Sequence, residues 1–151
     1  MPADQAIPGL VIRQAAAGDG PALARLIAQL GYPVTEAEVA ARLAAMERED
    51  RLVLVAQLGG AVVGCLSTSV MRVLHRPAPV GRISMLVVDA AVRGRGIGAE
   101  LVRAAELALI ANGCGLVEVT SNLSRTEAHR FYERLGYERT SVRLAREPGK
   151  A

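Results

Sequence analysis

The chain has 151 residues, 51% hydrophobic and 3% aromatic, with a formal net charge of +3. That length suits one domain that buries its own core, expected over 1–151 with residues 9–146 as its ordered part, and the composition excludes a disordered chain. No apolar run approaches the ~20 residues of a membrane helix, and a mild arginine surplus with few aromatic rings offers no base-stacking surface. The opening MPADQAIPGL has no basic stretch and no continuous apolar one. The expectation is therefore a cytoplasmic protein without a signal peptide, binding neither membrane nor nucleic acid. Lys150 is the sole lysine, so positive charge rests on arginine. Cys65 and Cys114 lie far apart with no Cys or His at metal-ligand spacing. Both read as small buried hydrophobes, and no metal is expected.

In chain order, LVIRQAA (residues 10–16) reads as a strand. Asp19 offers a cap for a helix with Leu23, Leu26, Ile27 and Leu30 at helical spacing, stopped by Gly31. Thr35-x-x-Glu38 is a capping box opening a second helix with Val39, Leu43 and Met46 on one face. Two β-rich runs flank Gly59-Gly60, a hairpin signal. The prolines of HRPAP mark a loop. VGRISMLVVD is a further strand whose apolar end suggests burial on both faces. A helix with Ile97, Leu101, Ala104, Ala108 and Ala111 on one face follows and ends at NGCG. LVEVTS is a strand, and Ser124-x-x-Glu127 a second capping box. It opens a helix striped by Ala128, Phe131, Tyr132 and Leu135, closed by Gly136. YERTSVRLA reads as a last strand. The order β-α-α-β-β-β-α-β-α-β implies an α/β (α+β) fold, one mixed sheet flanked by helices.

The stretch DAAVRGRGIGAEL carries Gly94, Gly96 and Gly98 at alternate positions between a strand and a helix. Glycine weakens both elements, so a cluster there needs a reason. The first helical N–H groups have no partner inside the helix, and the helix dipole adds positive charge beside them. Glycines let an anion reach those amides, and Arg93 and Arg95 add charge, which suits a phosphate or pyrophosphate. A plain glycine-rich turn with solvated arginines is the bland alternative. A dinucleotide fingerprint, G-x-G-x-x-A, also fits locally, but it belongs to the first βαβ unit with an acid about 20 residues on. Here it follows a hairpin, and Glu118 near that distance sits inside a strand. A P-loop fails, because no Gly-Lys-Ser/Thr follows.

Arg93-x-x-Gly96-x-Gly98, after a strand and opening a helix, resembles the acyl-CoA pyrophosphate motif of the GNAT family of N-acetyltransferases. SNLSRTEAHRFYERLGY resembles that family's second signature, and IRQAAAGDGPALARLIAQLGYP its first strand and helix. The resemblance covers nearly the whole chain and implies the acyl-CoA N-acyltransferase fold, acetyl-CoA (CoA) as co-substrate and no metal. It implies that Arg93, Gly94, Arg95, Gly96, Ile97, Gly98 and Ala99 hold the pyrophosphate, and that Leu86, Val87 and Val88 pair with the pantetheine arm. Asn122 would bond the pantetheine amides, Phe131 would line the cofactor site, and Tyr132 would protonate the leaving thiolate. A phenol keeps its proton at neutral pH and can donate it, though Tyr132 beside Phe131 also reads as a core residue.

Many members place an acid on the strand before the glycines, where this chain has Ser84 and Met85. Glu118, His75 and His129 are substitutes, each also readable as an ordinary surface group. The expected function is transfer of an acetyl group to a primary amine of a small molecule through a ternary complex. The alternatives are a non-catalytic acyl-CoA-binding or sensing domain, and an acetyltransferase for a peptide N-terminus or lysine. The acceptor pocket is expected from Leu30 to Met46 and from Val73 to Val80. A homodimer is a possible assembly.

Overall fold

The structure, a computed structural model, describes residues 6–49 and 51–149. Residues 1–5 of the opening segment and Lys150 lie outside them. The first strand forms as Leu10–Gln14 (β1), followed by helices Gly20–Gln29 (α1) and Glu36–Arg48 (α2). α2 starts as its sequence predicts. Thr35 Oγ1 accepts the Glu38 N–H at 3.1 Å, and Glu38 Oε1 accepts the Thr35 N–H at 3.0 Å. Asp19 makes no such side-chain cap on α1. Its buried carboxylate takes two Arg13 nitrogens at 2.8 and 2.9 Å and the Ala16 N–H at 2.8 Å. A bidentate charged partner outcompetes a single helix amide. The Arg13 guanidinium holds the Asp19 carboxyl below the usual carboxylate range.

Val53–Leu58 (β2) and Ala61–Met71 (β3) form the expected hairpin, turning on Gly59 at φ 57° and Gly60 at φ 84°. Val80–Val88 (β4) leads through a loop to Ile97–Ala111 (α3), then Leu116–Val119 (β5) and Thr126–Arg134 (α4). The sheet order is β1-β2-β3-β4-β5, with β1/β2, β2/β3 and β3/β4 antiparallel.

Strand alternation sends successive side chains to opposite faces. Val55, Cys65 and Val87 pack under Leu23 and Leu26 of α1 and Val39 and Leu43 of α2. On the other face α3 packs closely, because two strand positions carry no side chain. A Cβ at Gly64 would stand 3.0 Å from Leu101 Cδ1, and one at Gly81 2.8 Å from Leu109 Cδ1. This fit corrects the expected face of α3. Ile97, Leu101, Val102, Ala105 and Leu109 are its buried residues, while Ala104 and Ala108 are half-buried and Ala111 exposed. Two leucines seated over glycines fix the rotation of the helix, and the alanine stripe has less apolar surface with which to compete.

The chain divides into two compact units, the first ending at Glu118 and the second beginning at Val119. In the second unit Arg125, not Ser124, precedes α4, and no side-chain cap forms. Ser124 turns its hydroxyl to Asn122 Oδ1 at 2.8 Å instead, as short polar side chains do when a local turn competes with a helix start. The expected last strand does not form among the described residues: 137–147 carry no regular element, and Val142 and Leu144 stand exposed. Alternation supplies two faces, but a strand also needs a neighbour's backbone ladder.

Candidate functional site

β3 and β4 pair regularly from Gly64–Val88 to Ser67–Met85, then resume at Thr68–Ile83. Ser84 is thus an extra residue, and it and Met85 together oppose Ser67. The Ser67 and Ser84 hydroxyls lie 2.8 Å apart, Ser67 buried and Ser84 exposed. Such bulges re-aim side chains and gather beside active sites. The two positions where the sequence lacks an acid are the two that this bulge sets opposite Ser67, Ser84 exposed and Met85 packed against the core.

On its other side β4 is only partly covered. The Gly115 N–H bonds Pro79 O at 2.9 Å, and Glu118 Oε1 meets Arg82 NH2 at 2.6 Å, so β5 starts level with the start of β4. β5 has four residues and β4 nine. By that register β5 ends before Leu86. The Leu86–Val88 edge lies beyond the four residues of β5 by that register, and an extended chain could pair with it as an added strand.

The loop after Val88 is pinned from α1. The Asp89 carboxylate accepts from Arg25 at 2.6 Å and from the Ala91 N–H at 3.1 Å, and Gln29 Oε1 accepts the Ala90 N–H at 3.0 Å. The Ala91 amide, with Arg25 and Gln29, holds the Asp89 carboxyl below its usual range. Arg93 Nε donates to Val88 O at 3.0 Å. Gly94 and Gly96 take left-handed φ of 82° and 85°, and Gly96 is the residue preceding α3. The first amide bonded inside the helix is Glu100 N–H, to Gly96 O at 3.1 Å. The N–H groups of Ile97, Gly98 and Ala99 precede it and have no intrahelical acceptor. Arg93 and Arg95 are exposed at the same turn. The arrangement can take an anion on backbone amides with cationic side chains around it.

In the second unit Asn122 Oδ1 accepts from the Ser124 N–H and hydroxyl at 2.9 and 2.8 Å. Tyr132 is buried, with half-buried Phe131 at 5.0 Å and Tyr137 at 5.6 Å between ring centroids, both edge-on. Burial pushes its phenol up to about 12, and Arg125 acts weakly the other way.

The substitute bases are placed as follows. Glu118 is tied to Arg82, with Nε also donating to it at 2.7 Å. His75 stands exposed on its loop. His129 Nε2 lies 2.9 Å from Asn122 O. Cys65 and Cys114 are both buried and free, and burial pushes the Cys65 thiol up to about 12, which leaves it inert as a nucleophile. Among the described residues no group of three or more His, Cys, Asp or Glu side chains could hold a metal, and no helix is long and apolar enough to cross a membrane.

The two segments expected around an acceptor line separate cavities. One, of about 280 Å³, sits in the loop from Arg72 to Pro79. The other, of about 130 Å³, lies between α1, α2 and the sheet. Seven residues of strand, about 23 Å, separate Val80 from Val87, which sets the loop cavity at the far end of β4 from the glycines. Sequence reasoning missed Arg25, Gln29, Asp89 and Ser67. An Asp closing a strand before a turn was a usable signal for Asp89. Arg25 and Gln29 are ordinary surface residues until α1 is laid against the loop.

The sequence model described as the Acetyltransferase (GNAT) family matches residues 22–137. The chain is 38% identical over 87 residues to an aminoalkylphosphonate N-acetyltransferase of Salmonella typhimurium, covering 58% of this chain and 56% of that one. It is 36% identical over 120 residues to a glucosamine 6-phosphate N-acetyltransferase of Oryza sativa, covering 74% and 69%. The match thus spans little more than half of the Salmonella protein. A solved aminoglycoside N-acetyltransferase in complex with CoA superposes with a TM-score of 0.81 at 22% identity, over 95% of this chain and 99% of that one. At that identity the likeness shows the fold.

Proposed function

The chain belongs to the GNAT acetyltransferase family, and from that premise we propose that it moves an acetyl group from acetyl-CoA to a primary amine of a small molecule, within a ternary complex. The observation that carries the reading is the glycine turn after Val88: two left-handed glycines open α3 beside two arginines, next to a strand edge that β5 does not cover. The pyrophosphate rests on the amides from Arg95 to Ala99, with Arg93, Gly94 and Gly96 shaping the turn. Leu86, Val87 and Val88 pair with the pantetheine arm, Asn122 donates its amide nitrogen to it, and Phe131 lines the cofactor site. Acetyl-CoA supplies the activated acyl group. The neutral amine attacks the thioester carbonyl, and a backbone N–H beside Val87, on the edge of β4 that faces away from β3, stabilises the charge growing on its oxygen. As the C–S bond breaks, Tyr132 O–H gives its proton to sulfur and is reprotonated from solvent. The small-molecule acceptors in the names of the Salmonella and Oryza relatives support an acceptor of that size.

The bulge residues Ser67, Ser84 and Met85 carry no carboxylate, so the acceptor's proton leaves through water, with the Ser67–Ser84 pair at hand. Rate then follows the neutral fraction of the acceptor. A pH–rate profile for two amines of different pKa tests this: the inflection should move with the amine, and one common inflection near neutrality would show an enzyme base instead. A second reading, an acyl-CoA sensor without turnover, is favoured by Ser84 and Met85 alone, and steady thiol release with any amine removes it. The reading includes one domain over 1–151, cytoplasmic residence and a homodimer. Leu107 and Ile110, exposed on α3, offer apolar surface for that contact, and a 15.9 kDa monomer in light scattering at assay concentrations would end the dimer.

A further inference from the structure

The cavity between α1, α2 and the sheet is walled by Leu23, Ile27, Leu43, Met46, Val53 and Met85. Its volume is about 130 Å³. An apolar cavity of about 150 Å³ holds a benzene molecule, so this one suits a single ring or a branched chain of four to six carbons, by order of magnitude. Two polar residues line it. Arg42 lies at its rim with its guanidinium paired to Glu38 at 3.4 Å, and Ser67 carries the hydroxyl bonded to Ser84. Among the described residues that line it there is no carboxylate, so neither a second ammonium nor a polyhydroxylated ring would find partners there, and each unmet polar group would be costly to bury.

Position adds to chemistry. Met85 belongs to both the cavity wall and the bulge, and its cross-strand partner is Ser67. The neighbouring pair on the same face is Cys65–Val87, and Val87 is where the thioester carbonyl is placed in the reading above. An amine whose apolar body fills the cavity would therefore hold its nitrogen near the Ser67 hydroxyl, one residue pair from that carbonyl. We infer that the acceptor is a primary amine on a compact hydrocarbon group, and that this cavity is its specificity pocket. The inference rests on the acetyltransferase reading for its reaction but not for its binding.

Two measurements keep those apart. With acetyl-CoA, kcat/KM is compared for ethylamine, 2-methylpropylamine and 3-methylbutylamine, against 2-aminoethylphosphonate and glucosamine 6-phosphate. Full burial is worth about fourfold per methylene, so the hydrocarbon series should climb steeply and exceed the polar acceptors. A tripeptide beginning with Leu tells a peptide N-terminus from a free amine. Met46→Phe and Ile27→Phe, each checked for a native circular dichroism spectrum, should flatten the series. Separately, methyl NMR of the wild type with 3-methylbutylamine should shift Met46 and Met85 but not Met71 at the far end of β3. Methyl shifts without thiol release from any amine would support the pocket and sink the reaction. Turnover with a flat series and unmoved methyls would overturn the pocket and spare the reaction.

Discussion

The glycine turn at Arg93–Ala99 and the helix of Tyr132 would serve one reaction by opposite means. The turn offers backbone. Its amides are free because Gly94 and Gly96 hold left-handed φ and α3 begins there, and its position is fixed by side chains elsewhere, Arg25 and Gln29 gripping Asp89 and Ala90. The second unit offers side chains, a phenol on α4 held between two rings and an amide on the short polar turn before that helix. A backbone site tolerates many neighbours but few replacements of its glycines. A side-chain site depends on one functional group, and deleting one atom should cancel it.

Tyr132→Phe is the sharpest test of that contrast. Removing a proton donor typically costs ~10²–10⁴ in kcat, so that loss is expected with acetyl-CoA affinity nearly unchanged. With the phenol pushed up to about 12, the wild-type rate should show no alkaline fall from its ionisation below pH 10. Wild-type turnover in the variant would remove Tyr132 from the mechanism.

Gly81→Ala tests the packing behind the turn. The new Cβ meets three atoms of Leu109 within 3.1 Å, so α3 or its leucine must shift. Overpacking of this kind costs ~1–3 kcal/mol, to be read from urea unfolding. An unchanged midpoint would mean that the glycine is not what seats α3.

Within the turn, Gly98 separates binding from backbone strain. A side chain at Gly96 would pay for a left-handed φ of 85°, so Gly96→Val would weaken the fold as well as the site. Gly98 is the second residue of α3 and is not among the left-handed glycines, so Ala there meets no such backbone strain. Gly98→Ala should therefore keep or raise Tm while acetyl-CoA affinity drops. Calorimetry showing full affinity in a folded Gly98→Ala protein would move the pyrophosphate elsewhere.

The smallest effect is expected away from both regions. Asp19→Asn loses the charge that Arg13 pairs with, a part-exposed bridge worth about 1 kcal/mol. Because the folded carboxyl is held below its unfolded value of about 3.9, the contribution is present above that pH and lost as pH falls below it. Wild type and variant should converge in Tm at acid pH. A gap that persists there would mean packing, not charge.

Local chemistry in the sequence determined the capping box at Thr35, the hairpin at Gly59-Gly60 and the helix start at Gly96, because each depends on residues within four positions of one another. The glycine turn was legible for the same reason, since glycines and a helix start are local signals, while Asn122 and Tyr132 were nameable through family resemblance alone. Tertiary structure decided what depends on distant partners. Asp19 left its helix for Arg13, and α3 turned its leucines rather than its alanines inward because Gly64 and Gly81 stand open beneath them. Val142 and Leu144 found no ladder to join, and one extra residue in β4 turned Ser84 and Met85 together toward Ser67. Each is a contest between surfaces far apart in the chain, and sequence spacing carries no measure of which surface is nearer or larger.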